Sequence, residues 1–319
     1  MVKIIVLDGN TLNPGDLDWQ VIKNFGETTI YDRTVAEQTV ERAIDADIIL
    51  VNKHPLTAVM LKQLPGLKCI CVTATGYNNV DVDFAKSKNI PVCNVLGYST
   101  ASVAQHVFSM ILNFTNNPQD HNHSVQEGQW QKSKDFSFHL SPFHELARKT
   151  LGIYGFGRIG QKVAEIAQAF EMKVIVTHKH PVKDRQAGVQ FVHIEELFQE
   201  SDFISLHAPL TLDNVGIVNK KLLQTMKQSA YLINTARGSL INDIDLREAL
   251  ENKQMAGAGL DVLSTEPPSS EHPLLGVKNC IITPHMSWAT VESRKRLLVS
   301  TAENIKAFLD GNPRNVVNQ

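Results

Sequence analysis

Two doubly wound parallel-sheet α/β domains are the fold this chain predicts, and three observations predict it. Short apolar runs alternate with helix-competent stretches along most of its length, the pattern of strands covered on both faces by crossover helices. The alternation comes in two series, one over the first hundred residues and one from Thr150 onward. With 319 residues, the chain is also too long for a typical single core.

In chain order, Lys3–Leu7, Thr28–Tyr31, Asp47–Val51, Lys68–Thr73 and Pro91–Asn94 read as strands, apolar without a break where they are buried. Leu56–Leu64 and Val80–Lys88 read as helices between them. A helix-competent segment from Thr100 to Gly128 follows, the expected crossing to the second domain. Gln129 to Glu145 is rich in aromatics and histidine without periodicity, and reads as a loop that packs on a neighbouring subunit. The second series places strands at Thr150–Tyr154, Lys173–Thr177, Asp202–Leu206, Ala230–Asn234, Ala258–Val262 and Cys280–Thr283. Ala289–Leu309 is an amphipathic helix stopped by Gly311 and Pro313, expected to return to the first domain. The domains are thus drawn as 1–100 with 290–319, and 101–289.

Composition narrows the function. Hydrophobic residues make up 43% and charged residues 20%, ordinary for a globular enzyme. A net charge of −2 offers no footprint for nucleic acid or an anionic membrane. No run approaches a membrane span, and Met1–Asp8 reads directly as a strand with no leader. Cys69, Cys71, Cys93 and Cys280 lie in apolar runs without a CxxC pair, so free thiols and a cytoplasmic location are expected. His121 and His123 are spaced i, i+2 with no accompanying ligand cluster, and no metal is expected.

Gly155-Phe156-Gly157-Arg158-Ile159-Gly160 follows an apolar strand and opens a helix, the context a dinucleotide fingerprint requires. The glycines permit a tight turn, close approach to a pyrophosphate, and helix-on-strand packing. An acid that would bind a ribose 2′-hydroxyl is expected about 20 residues on. The chain instead reads Val176-Thr177-His178-Lys179-His180-Pro181. No acid stands at 177–180, so NADP is expected to be tolerated beside NAD, with Lys179 offering a charge-assisted bond to a 2′-phosphate. The other reading of this tip is a solvated basic turn with NAD held by other contacts.

Three later runs carry chemistry: Asn234-Thr235-Ala236-Arg237-Gly238, Leu260-Asp261-Val262 leading to Glu266-Pro267-Pro268, and Thr283-Pro284-His285. They supply a planar cation that matches a carboxylate, an acid, and an imidazole suited to proton transfer near neutral pH. That set fits reduction of a 2-keto acid. Alone, Arg237 would be a surface ion-pair residue and His285 a satisfied core histidine; behind the fingerprint, the combination points to catalysis.

With Ala74-Thr75-Gly76-Tyr77-Asn78, Ser102-Val103-Ala104-Gln105 and Trp288-Ala289-Thr290, these runs make the chain resemble the D-isomer-specific 2-hydroxyacid dehydrogenase family over nearly its whole length, most closely the glycerate dehydrogenase (hydroxypyruvate reductase) branch. The resemblance implies one flavodoxin-like and one Rossmann domain with the active site in the cleft between them, and a homodimer built through the cofactor domain. It implies that Arg237 clamps the substrate carboxylate, that His285 protonates the ketone oxygen, and that Glu266 holds the imidazole's tautomer and keeps its acid form present. It places Thr75 and Gly76 on the substrate carboxylate and Lys53 near the substrate, though Lys53 reads equally as an exposed lysine at a strand end. His207, Ala208, Pro209, Thr235, Ala236 and Asp261 fall on the nicotinamide side. The implied substrate is a small 2-keto acid such as hydroxypyruvate or glyoxylate. A bulkier keto acid, or a non-catalytic nucleotide sensor on the same fold, is the alternative. Leu96-Gly97-Tyr98-Ser99 departs from the family's usual Pro-Ala-Tyr-Gly.

Overall fold

The computed structural model describes every residue except Pro142, Pro181, Val182 and Arg185. The chain forms two compact units, Met1–Ser99 with Trp288–Gln319, and Thr100–Ser287. These divisions fall slightly before the ones drawn from the sequence.

The first unit holds five parallel strands: β1 (Lys3–Val6), β2 (Glu27–Ile30), β3 (Ile48–Val51), β4 (Cys69–Val72) and β5 (Val92–Cys93), in the order β2-β1-β3-β4-β5. Ile5 lies opposite Thr29 and Ile49, and Ile70 opposite Val92. β3 and β4 are buried at every residue, as continuous apolar strands with both faces covered must be. The edge strand β2 instead alternates exposed and half-buried residues. Leu7, Ile49, Val51, Ile70, Val72 and Val92 form one packed face of this sheet.

The terminal helix Val291–Leu309 belongs to this unit, capped by Thr290, whose hydroxyl accepts the Ser293 N–H. Arg294 anchors it by donating to both oxygens of Asp16 at 2.6 and 2.7 Å, and Asn304 donates to the Asn94 carbonyl at 2.8 Å. Cys69, Cys71 and Cys93 are buried free thiols, and Cys280 is a partly buried one.

The second unit holds seven parallel strands: β6 (Thr150–Tyr154), β7 (Lys173–Thr177), β8 (Val189–Phe191), β9 (Phe203–Leu206), β10 (Tyr231–Asn234), β11 (Gly257–Leu260) and β12 (Cys280–Ile282). Their order is β12-β11-β10-β9-β6-β7-β8, so the strand sequence reverses between β6 and β9. Two cores cover the two faces. Leu151, Ile153, Val174 and Ile233 pack with the helices Thr100–Asn116 and Arg158–Ala169, while Ile204, Leu206, Leu232 and Leu260 pack beneath Ile194–Glu200 and Asp243–Glu251.

Three details depart from the sequence reading. The helix-competent stretch from Thr100 breaks at Asn117, which sits at φ 42° before Pro118 opens a second helix, Pro118–Gln126. Asparagine tolerates the left-handed conformation, and proline has no N–H to continue the first helix. The segment read as an unbroken loop from Gln129 contains a one-turn helix, Gln129–Lys132. The short edge strand β8 was not anticipated. Among the described residues, no helix is long and apolar enough to cross a membrane.

Candidate active site

The glycine-rich turn joins β6 to the helix Arg158–Ala169 at the reversal point of the sheet, where open parallel sheets bind ligands. Gly155 has φ 95°, and a Cβ there would stand 2.4 Å from the Ala208 nitrogen. Only glycine therefore lets this turn lie against His207-Ala208, the segment leaving β9. A Cβ on Gly160 would meet the Gly155 carbonyl at 2.3 Å, so the helix closes tightly on the turn. Gly157 has nothing within 4 Å of its Cβ position, leaving an open side beside the first helical residues Arg158, Ile159 and Gly160. Their N–H groups have no acceptor earlier in the helix and suit a pyrophosphate.

Phe156 is fully buried and makes edge contact with Phe191. Its N–H donates to His178 Nδ1 at 3.1 Å, so the proton of His178 is on Nε2, which faces Asp184 Oδ2 at 2.8 Å. An acid does stand near this tip: Asp184, beyond positions 177–180, pairs with His178. Thr177 turns its hydroxyl to the Val192 carbonyl, and Lys179 is exposed. Pro181, the last residue of that tip, lies outside the described residues.

At the end of β10, the Asn234 side chain organises the turn that carries Arg237. Its Oδ1 accepts the Ala236 N–H at 3.0 Å and its Nδ2 donates to the Arg237 carbonyl at 2.9 Å. Arg237 Nη1 donates to the Ala236 carbonyl, and no ion pair engages its guanidinium among the described residues. Thr235 is buried, and its hydroxyl has no hydrogen-bond partner. An orphaned buried hydroxyl, together with the open side at Gly157, fits a bound nucleotide cofactor. Gly238 closes the turn: a Cβ there would lie 1.9 Å from the Leu263 carbonyl carbon. The Arg237 turn therefore abuts the loop that carries Glu266.

His285 follows β12 in the left-handed region, with φ 52°, a strained setting for a side chain other than glycine. Asp261, fully buried after β11, holds this turn. Its Oδ1 accepts from the Thr283 hydroxyl at 2.6 Å and the Met286 N–H at 2.9 Å, and its Oδ2 accepts from the Ser287 N–H at 2.9 Å. The His285 N–H donates to the Asp261 carbonyl at 2.8 Å. His285 Nδ1 meets Glu266 Oε2 at 2.7 Å, and Glu266 Oε1 accepts the Leu263 N–H at 3.0 Å. Nδ1 thus faces the carboxylate, and Nε2 is the ring nitrogen on the side away from it. Burial pushes the His207 imidazole down to about 3, so it is neutral at working pH; its Nε2 pairs with the Ser205 hydroxyl at 2.8 Å.

In the first unit, Lys53, Thr75 and Gly76 stand past the carboxyl ends of β3 and β4. Asp8 accepts the backbone N–H groups of Asn52, Lys53 and His54 at 2.6–2.8 Å, fixing the Lys53 turn. The Thr75 hydroxyl donates to the Val95 carbonyl. Among residues the sequence reading did not single out, His106 comes within 3.1 Å of the Thr283 hydroxyl, and Asp184 pairs with His178. His106 sits one turn along the helix from Ser102, whose hydroxyl donates to the Ser287 carbonyl, so its helical spacing was a usable signal.

Residues 108–287 match the model of the D-isomer specific 2-hydroxyacid dehydrogenase NAD binding domain. A hydroxypyruvate reductase of Blautia hydrogenotrophica is 46% identical over 100% of both chains. A glycerate dehydrogenase of Methylorubrum extorquens is 37% identical over 99% of this chain and 98% of its own. Among solved structures, an acyclic imino acid reductase in complex with NADPH and D-Arg superposes with a TM-score of 0.86 at 34% identity, covering 99% of this chain and all of the other. With a glycine-rich cradle, a buried orphan hydroxyl and an acid-paired histidine already placed by the fold, these likenesses settle the lineage: the chain belongs to the D-isomer specific 2-hydroxyacid dehydrogenase family.

Proposed function

We propose that this enzyme reduces hydroxypyruvate, and with it glyoxylate, to the corresponding D-2-hydroxy acid. The His285–Glu266 pair at 2.7 Å carries the reading, because it commits Nδ1 and leaves Nε2 as the proton donor. The carboxylate facing Nδ1 fixes the ring's orientation and turns Nε2 towards the substrate side. Glu266 is itself held by the Leu263 N–H, so it orients the ring instead of following it. The Arg237 guanidinium clamps the substrate carboxylate and polarises the adjacent ketone, and His285 Nε2–H protonates the ketone oxygen. The cofactor's nicotinamide, when bound, supplies the hydride. Gly155–Gly160 and Thr235-Ala236 would hold that cofactor, and neutral His207, Ala208 and Pro209 would line its pocket. Lys53, Thr75 and Gly76 are assigned to the substrate by resemblance and by their place past the strand ends. The relatives' names, hydroxypyruvate reductase and glycerate dehydrogenase, support the substrate class.

We also propose that NADPH is accepted beside NADH. The support is the exposed Lys179, the absence of an acid at 177–180, and the NADPH bound in the imino acid reductase. Asp184 is the opposing feature, because its carboxylate already engages His178. A homodimer is the assembly we expect, and the exposed apolar side chains Trp130, Phe136, Leu140 and Phe143 support it.

The test is cofactor oxidation with hydroxypyruvate and glyoxylate, each paired with NADH and NADPH. Rapid turnover of hydroxypyruvate is expected. Turnover confined to a bulkier keto acid, or none at all, would overturn the substrate assignment. Lys179→Ala should raise the KM for NADPH about tenfold and leave that for NADH unchanged. An unchanged NADPH KM would defeat the cofactor proposal.

A further inference from the structure

Glu266 sits in an exposed part of the chain. All eight residues from Ser264 to Glu271 are exposed, yet the carboxylate must meet His285 at hydrogen-bond distance. The span is bounded by two buried residues, Leu263 and His272. Leu263 packs against Gly238, directly after Arg237. The other boundary meets the same region of chain: His272 Nε2 lies 3.2 Å from Asp243 Oδ2, at the first residue of the helix Asp243–Glu251.

Hydrogen bonding fixes the polarity of this contact. His272 Nδ1 accepts the Leu274 N–H at 3.3 Å, so its proton is on Nε2 and is directed at Asp243. The Ser264 hydroxyl donates to the same Asp243 oxygen. One carboxylate oxygen thus gathers both ends of the exposed span, Ser264 and His272. The helix does not need Asp243 as a cap, because Asn242 Oδ1 already accepts the Ile244 and Asp245 N–H groups.

We propose that Asp243 and His272 are positioning residues that staple the Glu266 loop to the segment following Arg237 and so fix Glu266 against His285. The staple acts through Glu266 and touches neither substrate nor cofactor. It rests on the assignment of Glu266 and His285 as the proton-donating pair. Small errors in the place of such a group carry large rate penalties.

The test uses Asp243→Ala, Asp243→Asn and Ser264→Ala in the full-length enzyme. Asp243→Ala should lower kcat about tenfold and alter the kcat–pH profile, with NADH affinity, read by fluorescence, changed less than about twofold. Asp243→Asn keeps an acceptor oxygen and should recover most of that loss. The Ser264→Ala change lies at an exposed site, spares the fold, and should give a weaker version of the same effect. On a Glu266→Gln background, Asp243→Ala should cost almost nothing further. The imidazole ¹⁵N resonances of His285 in the enzyme without substrate give a readout independent of turnover, and they should move in Asp243→Ala. An unmoved profile with unmoved resonances, or full additivity with Glu266→Gln, would overturn the staple. A missing hydroxypyruvate activity with shifted His285 resonances would overturn only the substrate assignment.

Discussion

His285 receives its orientation from two different acids. Glu266 sets the ring through Nδ1, while Asp261 sets the backbone by collecting the Thr283 hydroxyl and the Met286 and Ser287 N–H groups. His285→Ala should therefore remove most turnover, about a thousandfold or more, while cofactor affinity stays near that of the parent, as fluorescence titration would read. Asp261→Asn replaces one acceptor oxygen by a donor among three hydrogen donors, and is expected to lower the melting temperature as well as turnover. His207 answers to pH in a defined direction. Burial depresses it from an ordinary value of about 6.5 to about 3, and desolvation also lowers His54. An unfolded chain takes up these protons first, so their contribution to stability is complete above about pH 6.5 and is lost as pH falls towards 3. Melting temperatures measured between pH 7.5 and 5 should fall, and His207→Gln should fall less steeply. Equal slopes for the two proteins would remove His207 as the cause.

At the level of elements, three loops at the carboxyl ends of β10, β11 and β12 converge because two are stitched by side chains from strand ends and a close backbone contact ties in the other. Asn234 folds the first, Asp261 the third, and the contact of Gly238 with Leu263 joins the first to the second. Gly238→Ala would place a methyl inside backbone at 1.9 Å, which no rotamer change relieves. It should cost about 2 kcal/mol or more and separate Arg237 from Glu266; thermal melting and kcat together would show both losses. The strands themselves were legible because continuous apolar runs such as Ile48–Val51 are what a two-sided burial demands. β8 was not, since three residues at a sheet edge carry too little apolar signal. Asn117-Pro118 was a readable break inside the long helical stretch, written in residue types rather than in periodicity.

At the scale of the whole molecule, Arg237, Glu266, His285 and the glycine turn all lie in the unit Thr100–Ser287, while Lys53, Thr75 and Gly76 lie in the other. Order along the chain is enough to propose the first set, because each residue sits in a short run with its own chemistry. Asp184, Asp243 and His272 were silent. Their contacts depend on partners across turns and between elements, and no local pattern encodes such a meeting. The apolar side chains Phe136 and Phe143 lead to a prediction at this scale: light scattering should give a dimer, and Phe136→Glu should shift it towards monomer. A parent protein that is monomeric at micromolar concentration would refute that assembly.

The left-handed backbone at His285 has a consequence for how the protein could be made tougher. Asparagine is among the residues that take this conformation most readily, so the backbone itself does not require histidine here. His285→Asn should therefore yield a protein that melts no more than about 4 °C below the parent, or above it, and is nearly inert. Selection for heat resistance alone would be expected to find that change, and selection for turnover to reverse it.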